Sequence, residues 1–383
     1  MRVLHSVPYF YPAWAYGGIP RLSYHLCAEL AKQGVEVDVV TTDAFDEKRR
    51  RKEREFTVDG INIRVYRNLS NYFAYHWQFF YPLGLKKEKS KISNHDLVHI
   101  HGHRNLLNTW INFWAGEKKI PVILQPNGTL VNIERRRALK KIYDFIWGAR
   151  QIKFIDIFIA VSEAEKKQFI EMDISPEKIR VVPNGVFVEP VKPEYDFKAK
   201  IGIKTDYVLY LGKLTPRKGI EHLIKAISLL KRKDIIAVIA GNDMGVKTRL
   251  EKLADNLGVR DRVIFTGLLT SPWKESAFHQ ALLTVYAGEY EIFGLSAFES
   301  ILCGTPVIVA DDSGCGEWLK KTGGGWIVPY GDAKAIAKIV DEFSSENKPK
   351  MTLAAQKWIQ ENLSWKKIAS EVKKIYTEIL ERR

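Results

Sequence analysis

Two glutamates eight residues apart, Glu291 and Glu299, flank a Phe293-Gly294 step in the stretch AGEYEIFGLSAFESILCGTPVIVA, residues 287–310. At 100° per residue they would lie about 80° apart around a helical axis, so they do not stack as an ordinary surface pair. They could instead address two parts of one extended ligand. A helix is expected to begin near Leu295, and the amides of Gly294, Leu295 and Ser296 at its start suit phosphate oxygens. Taken alone, the stretch also reads as two solvated glutamates beside an amphipathic helix. A second stretch, LGKLTPRKG at 211–219, shifts that balance. It follows an apolar strand and carries Lys213, Arg217 and Lys218, three cations that could converge on an anion at a strand's carboxyl end. No P-loop pattern is present, and no dinucleotide fingerprint follows the first strand. Gly17-Gly18, directly before a helix start, would let backbone approach an anion closely, although a turn is an equal reading.

Histidines mark another place. His99, His101 and His103 alternate in DLVHIHGH, and on an extended strand they would share one face. The geometry admits a metal, but a packed His99 with His101 or His103 looking into a cleft is the expectation, and no metal site is assigned. Cys27, Cys303 and Cys315 are few and lack metal-ligand spacing, as in a reducing compartment.

These residues need elements to position them. The 383 residues suffice for two domains, and 46% hydrophobic content with a mean hydropathy of −0.19 is a soluble composition. No window approaches a membrane span, and the opening MRVLHSVPYFYP reads as a strand broken by prolines. A cytoplasmic protein is expected. Apolar runs alternate with helical periods in both halves, which predicts two doubly wound parallel α/β sheets of Rossmann type facing across a cleft. The first domain spans 1–187 and is joined by a C-terminal helix, 363–383. A proline-bearing stretch without a clean period, 188–203, reads as a linker, and 204–362 form the second domain. Ser162 with Glu165 makes a capping-box signature, and Asp332 an N-cap.

The net charge of +14 favours anionic partners without naming them. Residues 104–153 hold 10 basic against 3 acidic side chains. Within them RRRALKKIYDFIWGAR places Leu139, Ile142, Tyr143 and Ile146 on one helical face, with Arg136, Lys140 and Asp144 on another. The segment 135–150 therefore reads either as a core helix with a solvated basic face or as a peripheral contact with an anionic membrane. Seven aromatic residues crowd 72–81, dense enough to pack as core and, where exposed, suited to a lipid or other apolar acceptor.

GKLTPRKG, then EYEIFGLSAFESILCGTPVIVA, GCGEWL and GGGWIVPYGD, together with YGG, DLVHIH, AVSEAEK, VPNGV and LSWKKIA, resemble the retaining glycosyltransferases of family 4 over essentially the whole chain. The resemblance implies the glycosyltransferase-B fold, a nucleotide-diphosphate sugar donor held mostly by the second domain, and an acceptor held mostly by the first. It also implies retention and no metal or other cofactor. Lys213 and Lys218 would hold the diphosphate; Gly294, Leu295 and Ser296 would give amides to phosphate or sugar. Glu299 would bind ribose hydroxyls, Glu291 would contact the transferred sugar, and Gly17 and Gly18 would approach the donor phosphates. Two departures stand out. Pro126-Asn127-Gly128 occupies the place where many members carry a histidine, which leaves His101 as the candidate acceptor-side group, and the Pro-Ser usual before Glu291 is replaced in YAGEY. A retaining hexosyltransferase with a glycan, lipid-linked or small-molecule acceptor is the leading reading. A nucleotide-sugar epimerase or phosphorylase-like enzyme and a non-catalytic membrane or polyanion binder are the alternatives. No nucleic-acid partner is expected, and the oligomeric state is not legible.

Overall fold

The computed structural model of the protein describes residues 1–131 and 137–382 and divides into two compact units. Unit 1 combines Met1–Gly185 with Trp365–Arg383, and unit 2 is Val186–Ser364. Unit 1 holds strands β1 (Arg2–Ser6), β2 (Glu36–Thr42), β3 (Glu55–Val58), β4 (Ile61–Tyr66), β5 (Leu97–His101), β6 (Val122–Gln125), β7 (Ile157–Ala160) and β8 (Ile179–Val181). They form one sheet in the order β3-β4-β2-β1-β5-β6-β7-β8, parallel throughout except for the β3–β4 edge pair. Unit 2 holds β9 (Tyr207–Leu211), β10 (Ile236–Ala240), β11 (Val263–Gly267), β12 (Leu283–Tyr286), β13 (Val307–Ala310) and β14 (Gly325–Val328). Their order is β11-β10-β9-β12-β13-β14, and every pairing is parallel. Both are doubly wound α/β sheets.

The reason lies in the strand sequences. VIVA in β13 and LTVY in β12 are buried at all four positions, and continuous burial is what a strand covered by helices on both faces requires. Helices α1 (Gly18–Lys32), α2 (Ile220–Leu229), α3 (Trp273–Gln280), α4 (Leu295–Leu302) and α5 (Trp365–Glu381) supply part of that cover. In α5 the apolar residues Trp365, Ile368, Val372, Ile375, Tyr376 and Ile379 are all buried within unit 1. The periodicity of the C-terminal tail announces this return to the first unit.

Three segments differ from their sequence reading. Residues 188–203 are not a bare connection, because Phe197 is fully buried in the unit 2 core with Val188, Val191, Ile201 and Ile203 packed against it. Glu165 does not close the capping box on Ser162. The Ser162 side chain accepts from the Glu165 amide at 3.1 Å, but the Glu165 carboxylate accepts from Gly128 at 2.6 Å and Val161 at 2.8 Å, bracing the Pro-Asn-Gly turn. Burial lifts this carboxyl to about 7 against the lowering effect of those amides.

The third is the basic segment. Part of it, including Arg136 and the Leu139 side chain, lies outside the described residues or side chains. From Arg137–Tyr143 the chain passes into a wider π-type turn, Asp144–Gly148. Tyr143 turns inward to Thr109 and Gln151, and Asp144 accepts two hydrogen bonds of 2.9 Å from the nearly buried Arg104. Ile142, Phe145 and Ile146 are left exposed, Phe145 to 90%. Asp144 faces in, where it supplies the counter-charge of Arg104, while Ile142, Phe145 and Ile146 face out with Lys141 and Arg150. The aromatic stretch divides similarly, with Phe80 buried and Tyr72, Phe73, Trp77, Phe79 and Tyr81 exposed.

Candidate functional site

In unit 2 the site grows from the carboxyl ends of β9 and β12. Beyond β9 the chain makes a short turn, Pro216–Lys218, closed by Gly219 at φ +65. A Cβ on Gly219 would stand 2.3 Å from the Ala287 carbonyl oxygen, so only glycine lets the cation loop lie against the loop after β12. The Glu289 amide donates to the Arg217 carbonyl at 2.8 Å and fastens the two loops. Lys218 and Glu291, far apart in sequence, thereby meet: the ammonium donates to the Glu291 carboxylate, with side chains only 16% and 14% exposed. Burial works to lower the Lys218 pKa, but Glu291 and Tyr210 together outweigh it and the net shift is upward. Lys218 is therefore held charged in a largely dry setting, where a cation acts strongly on a developing anion.

Gly294, at φ +79, caps α4, and its missing side chain matters, since a Cβ would come within 2.5 Å of the Cys315 sulfur. The first-turn amides of Leu295 and Ser296 follow it, lacking intrahelical acceptors. Glu299 points from the second turn of α4, and Lys274 of α3 donates to it at 2.9 Å while lying 3.3 Å from Glu275. Lys213 is half-buried directly after β9 and Gly212, and the Tyr210 hydroxyl donates to its carbonyl at 2.9 Å. Six of the sequence-selected residues, Lys213, Lys218, Glu291, Gly294, Leu295 and Ser296, thus sit on the loops and helix start above β9 and β12, with Glu299 one turn deeper.

The remaining candidates lie in unit 1. Gly17, at φ +100, and Gly18 form the start of α1. His101 is 1% exposed at the end of β5, and burial drives it down to about 3, so it is a neutral imidazole. Its Nε2 lies 2.9 Å from Nδ1 of His5 on β1, and its ring stacks on His99 at 4.2 Å. His99 in turn meets the Tyr376 hydroxyl of α5 at 2.6 Å. The histidine face consists of His5, His99 and His101. His103 lies beyond the strand against Tyr143. Donor atoms of His5, His99 and His101 come within 4.8 Å of one another, but the trio has no carboxylate or thiolate to balance a buried dication, and hydrogen bonds already engage one nitrogen on each ring.

Two residues escaped the sequence reading. Lys274 comes 25 positions before its partner Glu299, on a different helix, and no periodicity links them. Tyr286 ends the buried strand β12, and its hydroxyl accepts from Lys218 at 3.0 Å. A lone phenol at the carboxyl end of a buried strand was the available signal.

Comparison with known proteins agrees with this architecture. A family model described as Glycosyltransferase Family 4 matches residues 16–189, and one described as Glycosyl transferases group 1 matches 191–364. An uncharacterised glycosyltransferase of Methanocaldococcus jannaschii is 27% identical, the match covering 98% of each chain. A D-inositol 3-phosphate glycosyltransferase of Thermomonospora curvata is 24% identical over 88% of this chain and 85% of its own. Among solved structures, sucrose-phosphate synthase from Thermosynechococcus elongatus superposes with a TM-score of 0.76 at 19% identity, over 100% of both chains. HepE of Anabaena, in complex with UDP and glucose, does so with a TM-score of 0.74 at 17% identity, over 99% of this chain and 100% of that one. The two family matches, one for each half and together spanning nearly the whole chain, establish that the protein belongs to the group 1, family 4 glycosyltransferases with the glycosyltransferase-B fold.

Proposed function

We propose that this glycosyltransferase moves a hexose-type sugar from a nucleotide-diphosphate sugar to a hydroxyl of a glycan, lipid-linked or small-molecule acceptor, with retention of the anomeric configuration and without a metal. The observation that carries the reading is the partly buried Lys218–Glu291 pair, with the first-turn amides of α4 at Gly294, Leu295 and Ser296. The lysine and the helix start supply positive charge where a departing diphosphate becomes most negative. Lys213 adds a second cation. Glu291 accepts hydroxyl hydrogen bonds from the transferred sugar, and Glu299, fixed by Lys274, accepts them from the ribose. The bond from the anomeric carbon to the diphosphate oxygen breaks as the acceptor oxygen bonds to the same carbon on the same face. The acceptor proton passes to the leaving phosphate. Gly17 and Gly18 bring backbone amides towards the phosphates, and His101 stands behind the acceptor side as a neutral group.

A nucleotide-sugar screen by thermal shift tests the donor class, since a ligand binding only the folded state raises the melting temperature. NMR of the product's anomeric proton then tests retention. Stabilisation by no nucleotide sugar, or an inverted product, contradicts the reading.

A peripheral contact with anionic membrane through residues 135–150 forms a second part of the proposal. It is favoured by the outward Ile142, Phe145 and Ile146 beside Lys140, Lys141, Arg150 and Lys153. Among the described residues no helix is long and apolar enough to cross a membrane.

A further inference from the structure

Tyr286 occupies the centre of the unit 2 site. It is the last residue of β12 and is 7% exposed. One edge of its ring stands 3.4 Å from where a Cβ on Gly212 would lie, and the opposite edge stands 3.3 Å from where a Cβ on Gly294 would lie. The ring is therefore wedged between the residue preceding Lys213 and the cap of α4. Its hydroxyl accepts from Lys218 at 3.0 Å, and the same ammonium donates to Glu291, so the phenol and the carboxylate share one cation. Tyr210 on the paired strand β9 stacks on it at 6.1 Å between centroids and 10° between planes, and fixes the Lys213 carbonyl at 2.9 Å.

We infer that Tyr286 is the positioning residue that keeps the Lys218 ammonium aimed at the donor diphosphate when Glu291 leaves it for the transferred sugar. The inference rests on the proposed donor reading and adds a residue and a sequence of events to it. Lysine has three donor hydrogens. Two go to Glu291 and Tyr286, and one is left for a phosphate oxygen. Glu291 has to serve a sugar hydroxyl once the donor arrives, and without a second acceptor the flexible ammonium would follow the carboxylate. The hydroxyl does not move with the donor, because both ring edges are packed. It is neutral, so it directs Lys218 without cancelling its charge. Burial first, and then Glu291, raise the Tyr286 pKa well above its ordinary value, which keeps the phenol protonated.

The test is Tyr286→Phe, which removes one oxygen and keeps the ring. Binding of hexose-linked UDP, GDP and ADP, diphosphates that carry the transferred sugar, and of the matching monophosphates, is measured by calorimetry on the full chain, with Lys218→Met and the double variant alongside. The expected result is a fall of about 10-fold in affinity for the best diphosphate, the scale of one hydrogen bond to a charged group. Monophosphate affinity and melting temperature stay near wild type, and the double variant binds the diphosphate no more weakly than Lys218→Met alone. Equal loss for monophosphate and diphosphate, with a lowered melting temperature, assigns the ring a packing role and overturns the inference. So does multiplication of the two single losses in the double variant. Unchanged diphosphate binding by Tyr286→Phe while Lys218→Met loses it overturns the inference but leaves the donor reading standing. Unchanged binding by Lys218→Met removes both.

Discussion

The two units share one architecture and treat charge in opposite ways. Unit 2 keeps ions at its candidate site and pairs them in place, Lys218 with Glu291 and Lys274 with Glu299, on loops and helices at the carboxyl ends of its strands. Unit 1 places at the matching end of β5 and β1 a stack of imidazoles that burial keeps uncharged, His5, His99 and His101, tied to Tyr376 of α5. A parallel sheet tolerates either solution, since the ions are paired in one and the rings are uncharged in the other. The difference is what each half can do. A paired cation can be handed to an incoming anion, whereas a neutral stack can orient or accept but offers no charge. The proposed function calls on the charged side for its anionic donor and on the neutral side for its hydroxyl-bearing acceptor.

The contrast can be broken at its charged side first. Lys218→Met should lower kcat/KM by about 100- to 1000-fold, the cost of removing a transition-state charge partner in a dry site. It should also destabilise the protein, because Glu291 is left largely buried without its counter-ion. A steady-state assay with a melting curve checks both.

The neutral side predicts a pH effect of stated sign. Folding depresses the histidine pKa values below the unfolded value of about 6.5, to about 3 for His101. Their contribution is fully present above pH 6.5 and is lost as pH falls through that window towards the folded values. Each such histidine should then cost about 1.4 kcal/mol per pH unit below that point. His101→Asn should flatten the denaturation profile of unit 1 between pH 6.5 and 4 by one proton's worth of slope. An unchanged slope would mean that the imidazole is not buried neutral.

The smallest effect belongs to the surface. Phe145→Ser should weaken binding to anionic phospholipid vesicles about 3- to 10-fold in a co-sedimentation assay, the worth of one interfacial aromatic. Affinity for neutral vesicles should stay low in both proteins.

Much of the charged site was legible in the sequence, because its residues cluster in two short stretches with fixed spacing. Glu291, Gly294 and Glu299 fall within nine positions, and Lys213 and Lys218 within six. What joins the stretches was hidden. The contact of Lys218 with Glu291 depends on β9 lying beside β12, and the fastening of Glu299 by Lys274 depends on α3 meeting α4, both properties of strand order and helix packing. In unit 1 the alternating histidines announced a shared face. Nothing local could say that His5 of β1 would complete it in place of His103. The basic segment reads either as a core helix or as a surface contact, and its period cannot decide between them: Asp144 turns in to Arg104 and Tyr143 to Thr109, while Ile142, Phe145 and Ile146 stay exposed.

The central claim is that the Lys218 loop and the α4 start form a diphosphate site. Calorimetric titration of the wild-type chain with nucleoside, monophosphate and diphosphate of one base tests it most directly. The expected result is one diphosphate per chain, bound at least about 10-fold more tightly than the monophosphate, a step of about 1.4 kcal/mol. Equal affinity for all three would contradict it.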